Sequence, residues 1–342
     1  MRPSPARAKG SSNCDYPNER LETASLTVAV GLVAVLAPLE SHASSTRPTY
    51  KCNPPIVSLE LSLDWDERAF RCSQAWNLSK LEWYPGVSTA RIGLCESPFG
   101  PAVLKVSNYP DLIACEVNAL RHFGASICPK VLEVSRADHA ILLERVHVNH
   151  DLTTLFPAAE QEIDLWLPFF HEIVKQPDIP EGFPTLADYA RVFERVIGGA
   201  QQDGAARVLR FAHDNRDVLM GPPSELRLLH GDLHHFNLLC DTGGKWWMID
   251  PHGVVGNPLY EIGAFIRNPM PRFYREPGFR NCLEERLTFL SERLCVPVEV
   301  VALYGFYGAA FSIAWDYEDG NTSVDPKIIE LAEVLVMLSG KN

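Results

Sequence analysis

The hydrophobic pattern of this chain changes from strand-like to helical near residue 150, and this change restricts the possible folds more than any other feature. Before it, short apolar or alternating runs separated by Pro-Gly and Ser-Pro-Phe-Gly turns predict strands, at 77–84, 88–95, 101–106 and 139–146. Apolar residues at helical spacing predict one helix, at 111–123, between the third and fourth strands. A strand meander interrupted by one helix predicts a small α+β unit.

The chain beyond Asp151 is mainly helical in pattern. Apolar residues recur three or four positions apart at 164–175, 186–197, 203–219, 258–267, 282–294, 298–317 and 326–338. Short apolar runs joined by polar loops predict a central hairpin, at 226–229, 237–240 and 246–249. We therefore predict an α+β, bilobal fold with a small β-rich lobe over 58–146 and a larger helical lobe over 147–342.

Residues 1–57 are rich in Ser, Pro, Ala and Asn and have no sustained amphipathic period, so we expect them outside the folded body. An uncharged stretch that begins at Ala24 and ends at Leu39 resembles the apolar part of a signal peptide. Asp15, Glu19 and Glu22, which precede it, are atypical of a signal peptide. A disordered extension and a later start of translation are the two other interpretations.

The chain of 342 residues carries a net charge of −12, with 46% hydrophobic residues. A surplus of acid argues against nucleic acid as a partner, because phosphate binding needs a basic surface. Residues 1–150 contain equal numbers of acidic and basic side chains, so the whole surplus lies after residue 150. The nine cysteines are odd in number and contain no C-x-x-C pair, which indicates free thiols rather than a disulfide framework.

Two acids and an amide end short apolar runs in the second half of the chain. Asp232 and Asn237 lie in the segment HGDLHHFN, and Asp250 follows the run at 246–249. Loops beyond strand ends present polar groups to a ligand without burying them unpaired. Phosphoryl transfer needs such a set, namely one carboxylate that orients a hydroxyl and oxygen ligands that hold Mg²⁺ against the phosphates.

These residues belong to an ordered series of motifs that resembles the aminoglycoside phosphotransferases, relatives of the protein kinases. The match is closer to the streptomycin and hydroxyurea phosphotransferase branch and covers residues 58–340. It rests on AVLK at 102–105, LLER at 142–145, HGDLHHFN at 230–237, IDPHGVVGNPLYE at 249–261, FIRNP at 265–269 and SIAW at 312–315. Each short motif is weak alone, but the ordered set is specific.

The resemblance implies roles for the catalytic loop. Asp232 becomes the catalytic base or the group that orients the hydroxyl, and Asn237 and Asp250 become the Mg²⁺ ligands. His230 is expected to hold the loop by hydrogen bonds. His235 is a candidate substrate contact, although a histidine without such a role is common in loops.

Lys105 lies in an apolar predicted strand, where an unpaired ammonium group is costly. Its side chain either points to solvent at a strand edge or pairs with a phosphate and a carboxylate. Glu116, on the predicted helix, is the available carboxylate. The resemblance favours pairing, because a strand Lys and a helix Glu form the ion pair that positions the ATP phosphates in kinases.

The other nucleotide contacts are less defined by sequence. The turn that contains Ser88 and Thr89 either covers the phosphates with amides and hydroxyls or is a plain hairpin turn. It lacks the Gly-x-Gly-x-x-Gly of protein kinases. By the resemblance, backbone groups of Glu144 and Val146, at the junction of the lobes, hydrogen-bond the adenine edge.

For the acceptor, the helical lobe offers carboxylates beside an aromatic side chain. The candidates are Trp315, Asp316, Glu318, Asp319 and, nearer the catalytic motifs, Glu261. Acidic and aromatic groups together suit a cationic ligand by ion pairing and cation–π contact. A solvated acidic helix end is the competing interpretation.

The resemblance therefore implies an enzyme that uses ATP and Mg²⁺ to phosphorylate a hydroxyl of a small cationic antibiotic similar to streptomycin, and so confers resistance. We expect a cytoplasmic monomer with neither nucleic acid nor membrane as a partner, since ATP is a cytoplasmic substrate. The alternatives are a kinase for hydroxyurea or another small metabolite and, further away, a non-catalytic nucleotide-binding relative.

Overall fold

A computed structural model describes residues 65–84, 90–176, 178–200 and 203–341. The predicted extension at 1–57 and the turn with Ser88 and Thr89 lie outside these ranges. Within these ranges, the part of the chain before residue 147 contains one sheet and two helices. Its elements are α1 (Trp65–Ala75), β1 (Ser79–Trp83), β2 (Ala90–Ser97), β3 (Gly100–Ser107), α2 (Pro110–Phe123), β4 (Val131–Ser135) and β5 (Ala140–Glu144).

The sheet is antiparallel, with strand order β1-β2-β3-β5-β4. Alternate side chains of a strand face opposite sides of a sheet. On one face, Ala102, Leu104 and Val106 of β3 pack with Ala69 and Cys72 of α1. Lys105 therefore points to the opposite face, which is the face that α2 covers.

The rest of the chain is mainly helical. Its helices are α3 (Ala159–Val174), α4 (Leu186–Val196), α5 (Asp203–Asp214), α6 (Glu261–Arg267), α7 (Arg272–Arg275), α8 (Phe279–Leu294), α9 (Val298–Glu318) and α10 (Pro326–Leu338). Helix α9 lies at the centre of this lobe and contacts α4, α5, α6, α8 and α10. The hydrophobic core is continuous through these helices.

Short strands hold the motif-bearing loops between the sheet and the helices. They are β6 (Val148–Asp151), β7 (Arg227–Leu229), β8 (Leu238–Asp241), β9 (Trp246–Met248) and β10 (Val254–Gly256). Strands β6, β8 and β9 form one antiparallel sheet, and β7 pairs with β10. The HGDLHHFN segment therefore runs from the end of β7 to the start of β8, and Asp250 lies between β9 and β10.

Helix α9 is long and apolar enough to cross a membrane, but 72% of its most apolar window is buried inside the protein. Two glycines allow it to touch α6. A Cβ atom built on Gly308 would lie 2.2 Å from the carbonyl oxygen of Gly263, so the two backbones meet without side chains between them. This contact fixes α6 against the centre of the lobe.

The predicted α+β, bilobal class is confirmed, and the bounds of α10 agree residue for residue. The predicted helix 203–219 is wrong beyond Asp214, because a separate 3₁₀ turn covers Arg216–Leu219. Helices α1 and α7 and the strands β4, β6 and β10 were not predicted. The strands among them have three to five residues, too few to show a period in the sequence.

Candidate active site

The loop between β7 and β8 is held by His230, which is completely buried. Its Nε2–H donates to the carbonyl oxygen of Ile249, at 2.8 Å, and its Nδ1 accepts from the amide of Asp232, at 3.2 Å. Burial lowers the pKa of His230 to about 4, so the ring is neutral, as a ring that both donates and accepts must be. His230 thus fixes the Asp232 backbone, as the sequence indicates.

Asp232 has a different partner on each carboxylate oxygen. Arg267 Nη2 lies 2.6 Å from Oδ1, and His234 Nε2 lies 3.2 Å from Oδ2. Burial alone would raise the pKa of Asp232, but its contacts with His234 and with the Arg267 guanidinium hold it well below its ordinary value. Asp232 is therefore an oriented carboxylate and a weak base.

Asn237 presents an oxygen that the described protein leaves without a partner. Its Nδ2 donates to the carbonyl oxygen of Asp232 at 2.9 Å, whereas its buried Oδ1 accepts no hydrogen bond there. Asp250 follows β9 in a left-handed conformation, with φ of 57°. The amide of Ile249, the residue before Asp250, donates to the carbonyl oxygen of Asn237 at 3.0 Å, so the two residues are neighbours. An amide oxygen without a donor and a neighbouring carboxylate fit a magnesium ion, which is typically held by one or two protein oxygens together with phosphates and water.

Lys105 joins the sheet to this loop. Its Nζ lies 2.7 Å from Glu116 Oε2 on α2 and 2.5 Å from Asp250 Oδ1. Burial alone would lower the pKa of Lys105, but the charges of Asp250 and Glu116 raise it above its ordinary value. The expected Lys105–Glu116 ion pair is therefore present, and the solvent-edge interpretation of Lys105 is wrong.

Glu261 lies beneath the catalytic loop rather than in an acceptor cleft. Its side chain is fully buried, and its two carboxylate oxygens accept from the amides of Gly231, at 3.0 Å, and Leu233, at 3.4 Å. Burial raises the pKa of Glu261 to about 7. This corrects the expectation of a substrate contact, because a carboxylate that faces the loop backbone is not accessible to a ligand.

His235 is also completely buried, which corrects its assignment as a substrate contact. Its ring stacks on Phe265, and its Nε2 lies 2.8 Å from Glu162 Oε2. Arg286 Nη2 lies 2.5 Å from the same glutamate oxygen. Burial lowers the pKa of His235 to about 4, so a neutral ring anchors the loop to α3 and α8.

The residues expected at the adenine edge lie at the end of β5 and just beyond it. Glu144 pairs with Ala102 in the sheet, and its Oε2 accepts from the amide of Lys130 at 3.3 Å. Val146 follows the strand and is half-buried. The amide of Val146 donates to no other group in the described ranges of the chain.

The acceptor candidates at the end of α9 differ in their availability. Glu318 is paired with Arg195, whose Nη2 lies 2.5 Å from Oε1, so the structure does not leave its charge for a ligand. Trp315 stacks on Phe311 and meets Tyr189 edge-on. Its ring therefore packs the lobe, with one part exposed.

Asp316 and Asp319 act electrostatically on tyrosines outside α9. The pKa of Tyr274 is raised to about 12, mainly by burial and then by the charge of Asp325. The charge of Asp316 raises this pKa as well, whereas the charge of Arg267 lowers it. Asp316 is therefore within electrostatic reach of Tyr274, on α7. Burial raises the pKa of Tyr109, at the start of α2, and the charge of Asp319 raises it further, so Asp319 lies beside the first lobe.

The sequence leaves Arg267 either to neutralise the acidic cluster near Asp250 or to cap its helix, and the structure pairs it with Asp232. The roles of Glu162 and Arg286 were not predicted from the sequence. Arg286 had a signal, because it shares a helix face with Leu283, Leu287 and Leu290. A charge on an apolar stripe indicates a buried ion pair. The sequence contains no signal for its partner, which lies on a helix more than a hundred residues earlier.

The fold and the site together define a kinase-like phosphotransferase that acts on a hydroxyl group. A family model described as aminoglycoside/hydroxyurea antibiotic resistance kinase matches residues 87–320. The chain belongs to that family, and the resemblance predicted from its motifs is confirmed.

Individual relatives are distant. The streptomycin 6-kinase of Streptomyces glaucescens is 23% identical over 238 residues, which are 68% of this chain and 76% of the relative. The hydroxyurea phosphotransferase of Kitasatospora aureofaciens is 25% identical over 244 residues, 70% of this chain and 69% of the relative.

Among solved structures, the fold is similar to aminoglycoside phosphotransferase APH(4)-Ia in a ternary complex with ADP and hygromycin B. The TM-score is 0.59 and the identity 16%, with 80% of this chain and 99% of that chain covered. A choline/ethanolamine kinase family protein from Mesorhizobium loti is also similar, with a TM-score of 0.54, 18% identity, and 76% of this chain and 88% of that chain covered. At such identities the likeness shows the fold alone.

Proposed function

We propose that the protein transfers the γ-phosphoryl group of ATP to a hydroxyl of a small cationic antibiotic of the streptomycin type. The observation that carries the proposal is the convergence of Asp232, Asn237, Asp250 and Lys105 at one junction between the two lobes. Phosphoryl transfer relies on positioning and charge neutralisation, and these four groups supply both.

In the proposed reaction, the acceptor hydroxyl donates its hydrogen bond to Asp232. The hydroxyl oxygen bonds to the γ-phosphorus, the bond from that phosphorus to the bridging oxygen of ADP breaks, and the hydroxyl proton passes to the carboxylate. Because the pKa of Asp232 is well below its ordinary value, this side chain mainly orients the hydroxyl. Proton transfer is then late in the step.

Lys105 is the proposed ligand of the α- and β-phosphates, with Glu116 holding its ammonium group in place. Asn237 Oδ1 and the Asp250 carboxylate are the proposed ligands of Mg²⁺, which when bound neutralises the phosphate charge. Ser88 and Thr89 remain proposed phosphate contacts, and the free amide of Val146, with backbone groups of Glu144, remains the proposed adenine contact.

The acceptor side is proposed to consist of Asp316 and Asp319, with Trp315 beside them. Burial raises the pKa of Asp316, which reflects incomplete compensation of its charge by the protein. An amino or guanidino group of an acceptor would supply the missing countercharge. Glu318 is left out of this proposed subsite because Arg195 already pairs with it.

The test of the overall proposal is incubation of the purified protein with ATP, Mg²⁺ and streptomycin, followed by mass measurement of the antibiotic. We expect addition of one phosphoryl group, and at least about a hundredfold loss of kcat in Asp232→Asn. Absence of a phosphorylated product, or transfer by Asp232→Asn at the parent rate, would contradict the proposal.

The acceptor subsite is tested by a matched pair of variants. Asp316→Asn is expected to raise KM for streptomycin about tenfold, since a charged hydrogen bond is lost, and to leave KM for ATP unchanged. Glu318→Gln is the control, because its parent carboxylate is occupied by Arg195. Equal effects of the two substitutions would remove Asp316 from the subsite.

A second candidate acceptor is hydroxyurea, which is uncharged. It is favoured by the hydroxyurea phosphotransferase relative and by the ion pair that withdraws Glu318 from the acceptor side. Phosphorylation of hydroxyurea but not of streptomycin, with no effect of Asp316→Asn on its KM, would select this candidate.

The remaining assignments are also proposals. The lobe boundaries 58–146 and 147–342, a cytoplasmic location and a monomeric state are consistent with the use of ATP on a small molecule. Size-exclusion chromatography with light scattering would test the monomer, and mass measurement of the native N-terminus would test processing of residues 1–57.

A further inference from the structure

We infer that helix α6 holds the catalytic loop in place, and that Arg267 at the end of this helix is a positioning residue that sets the orientation of the Asp232 carboxylate. The inference deepens the proposed function and rests on it. It concerns an ion pair between two motifs that are 35 residues apart in sequence.

Both ends of α6 hold the same loop. Glu261, its first residue, accepts from the loop amides of Gly231 and Leu233, whereas Arg267, its last residue, pairs with the side chain of Asp232. Six residues of helix separate the two contacts by about 9 Å. One rigid element therefore sets both the backbone path of the loop and the direction of its carboxylate.

Helix α6 is itself held in position by contacts on two sides. Gly263 of α6 is in backbone contact with Gly308 of α9. At the end of the helix, Arg286 donates to the carbonyl oxygens of Ile266, at 3.3 Å, and Asn268, at 2.5 Å. Arg267 is thus attached to a helix that has little freedom to shift.

The two partners of Asp232 are unequal. Arg267 is a buried cation at 2.6 Å from Oδ1, whereas His234 lies 3.2 Å from Oδ2. His234 Nδ1 accepts from the amide of Phe236, so the proton of its ring is on Nε2. Charge-assisted hydrogen bonds are shorter and stronger than neutral ones. Arg267 therefore holds Oδ1, and Oδ2 is the oxygen that exchanges His234 for the acceptor hydroxyl.

Arg267 makes no other ion pair among the residues that the structure describes, and its buried Nε has no acceptor there. A guanidinium buried to this degree, with 9% exposure, is stabilised mainly by Asp232. Removal of Arg267 frees the carboxylate to rotate, while the Lys105–Glu116–Asp250 cluster that is proposed to hold the nucleotide stays intact.

The test compares Arg267→Met and Arg267→Lys in the full-length protein under steady-state conditions. We expect kcat to fall about a hundredfold in Arg267→Met, since small misplacements of a reacting group have effects of this size. KM for ATP should stay within about twofold. Arg267→Lys should recover part of the loss, because an ammonium retains one charged hydrogen bond.

A purely structural role is excluded by two further measurements. Arg195→Met removes another arginine that pairs with a glutamate and is expected to leave kcat unchanged. Guanidinium ion added to Arg267→Ala is expected to restore turnover in a saturable manner, whereas it should not affect the parent enzyme. An Arg267→Met variant with parental kcat, or equal losses in kcat and in ATP affinity with no rescue, would overturn the inference.

Failure of the inference is distinguishable from failure of the proposed function. If the parent protein phosphorylates none of the acceptors, the proposed function fails. The same variants are then compared by hydrolysis of ATP, with water in place of the hydroxyl at Asp232. An unchanged hydrolysis rate in Arg267→Met overturns the inference, and a loss that guanidinium restores supports it.

Discussion

The close backbone contact between Gly263 and Gly308 predicts that a single methyl group added at Gly308 will lower both the stability and the kcat of this protein. In Gly308→Ala the new Cβ would lie 2.2 Å from the carbonyl oxygen of Gly263 and 2.4 Å from its carbonyl carbon. Ordinary contacts are about 3.5–4.0 Å, so α6 and α9 must move apart by roughly 1 Å. Backbone atoms, unlike side chains, cannot avoid the clash by changing rotamer.

Gly305, on the same helix, provides a matched control. A Cβ there would lie 3.2 Å from Ile266 Cγ2 and from Leu335 Cδ2, both of which are side-chain atoms that can shift. Both substitutions gain about 1 kcal/mol of helix propensity. Overpacking costs about 1–3 kcal/mol, and the higher value applies to Gly308. We expect Gly308→Ala to be about 2 kcal/mol less stable than Gly305→Ala, since the gain in helix propensity is common to both and the overpacking costs differ by about this amount.

The assay is urea denaturation and thermal unfolding of the two variants, together with their kcat. For a chain of this length, a difference of this size lowers Tm by about 4 °C. Because α6 carries Glu261 and Arg267, its displacement is also expected to lower kcat of Gly308→Ala by about a hundredfold. Equal Tm values for the two variants would refute the close backbone contact, and normal kcat in a destabilised Gly308→Ala would refute the transmission through α6.

Three further predictions concern the site itself. Lys105→Met leaves Glu116 and Asp250 without their cation and is expected to lower the free energy of unfolding by about 3–5 kcal/mol and to raise KM for ATP. Lys175→Met, which breaks only an exposed pair, should change stability by less than about 1 kcal/mol, and equal losses would contradict the buried cluster. Burial raises the pKa of Glu261 from 4.5 to about 7, so its contribution to stability is full below the lower value and is lost as pH rises through the higher one. Glu261→Gln should therefore gain stability relative to the parent between about pH 5 and pH 8, by at most about 3 kcal/mol; parallel stability curves would exclude this. Removal of Mg²⁺ by a chelator should abolish transfer, and Asn237→Ala should raise the Mg²⁺ concentration for half-maximal rate about tenfold; an unchanged requirement would exclude Asn237 as a ligand.

Sequence reasoning correctly brought candidate side chains together where they lie at short spacing along the chain. Asp232 and Asn237 are five residues apart, and the hairpin that returns Asp250 beside them is local. The Lys105–Glu116 pair also joins adjacent elements of one lobe. In each case the chain between the partners is too short to leave many alternative arrangements.

It failed where the role of a side chain depends on what a distant element places against it. Glu261 and His235 were expected at the substrate because they belong to the motif segments, but the backbone of the loop and Glu162 face them instead. Glu318 was a candidate acceptor contact, with a solvated acidic helix end as the alternative. Arg195, on another helix, pairs with it instead.

The sequence by itself determined the class of fold, the family and the groups that are proposed to act on phosphate, because these are carried by periodicity and by residue identity. Only the tertiary structure decided which charges remain available and which are committed to the protein. The physical reason is that burial is costly for a charge unless a partner reaches it. Helices such as α3, α6 and α8 supply those partners from positions that the linear pattern does not relate to the loop.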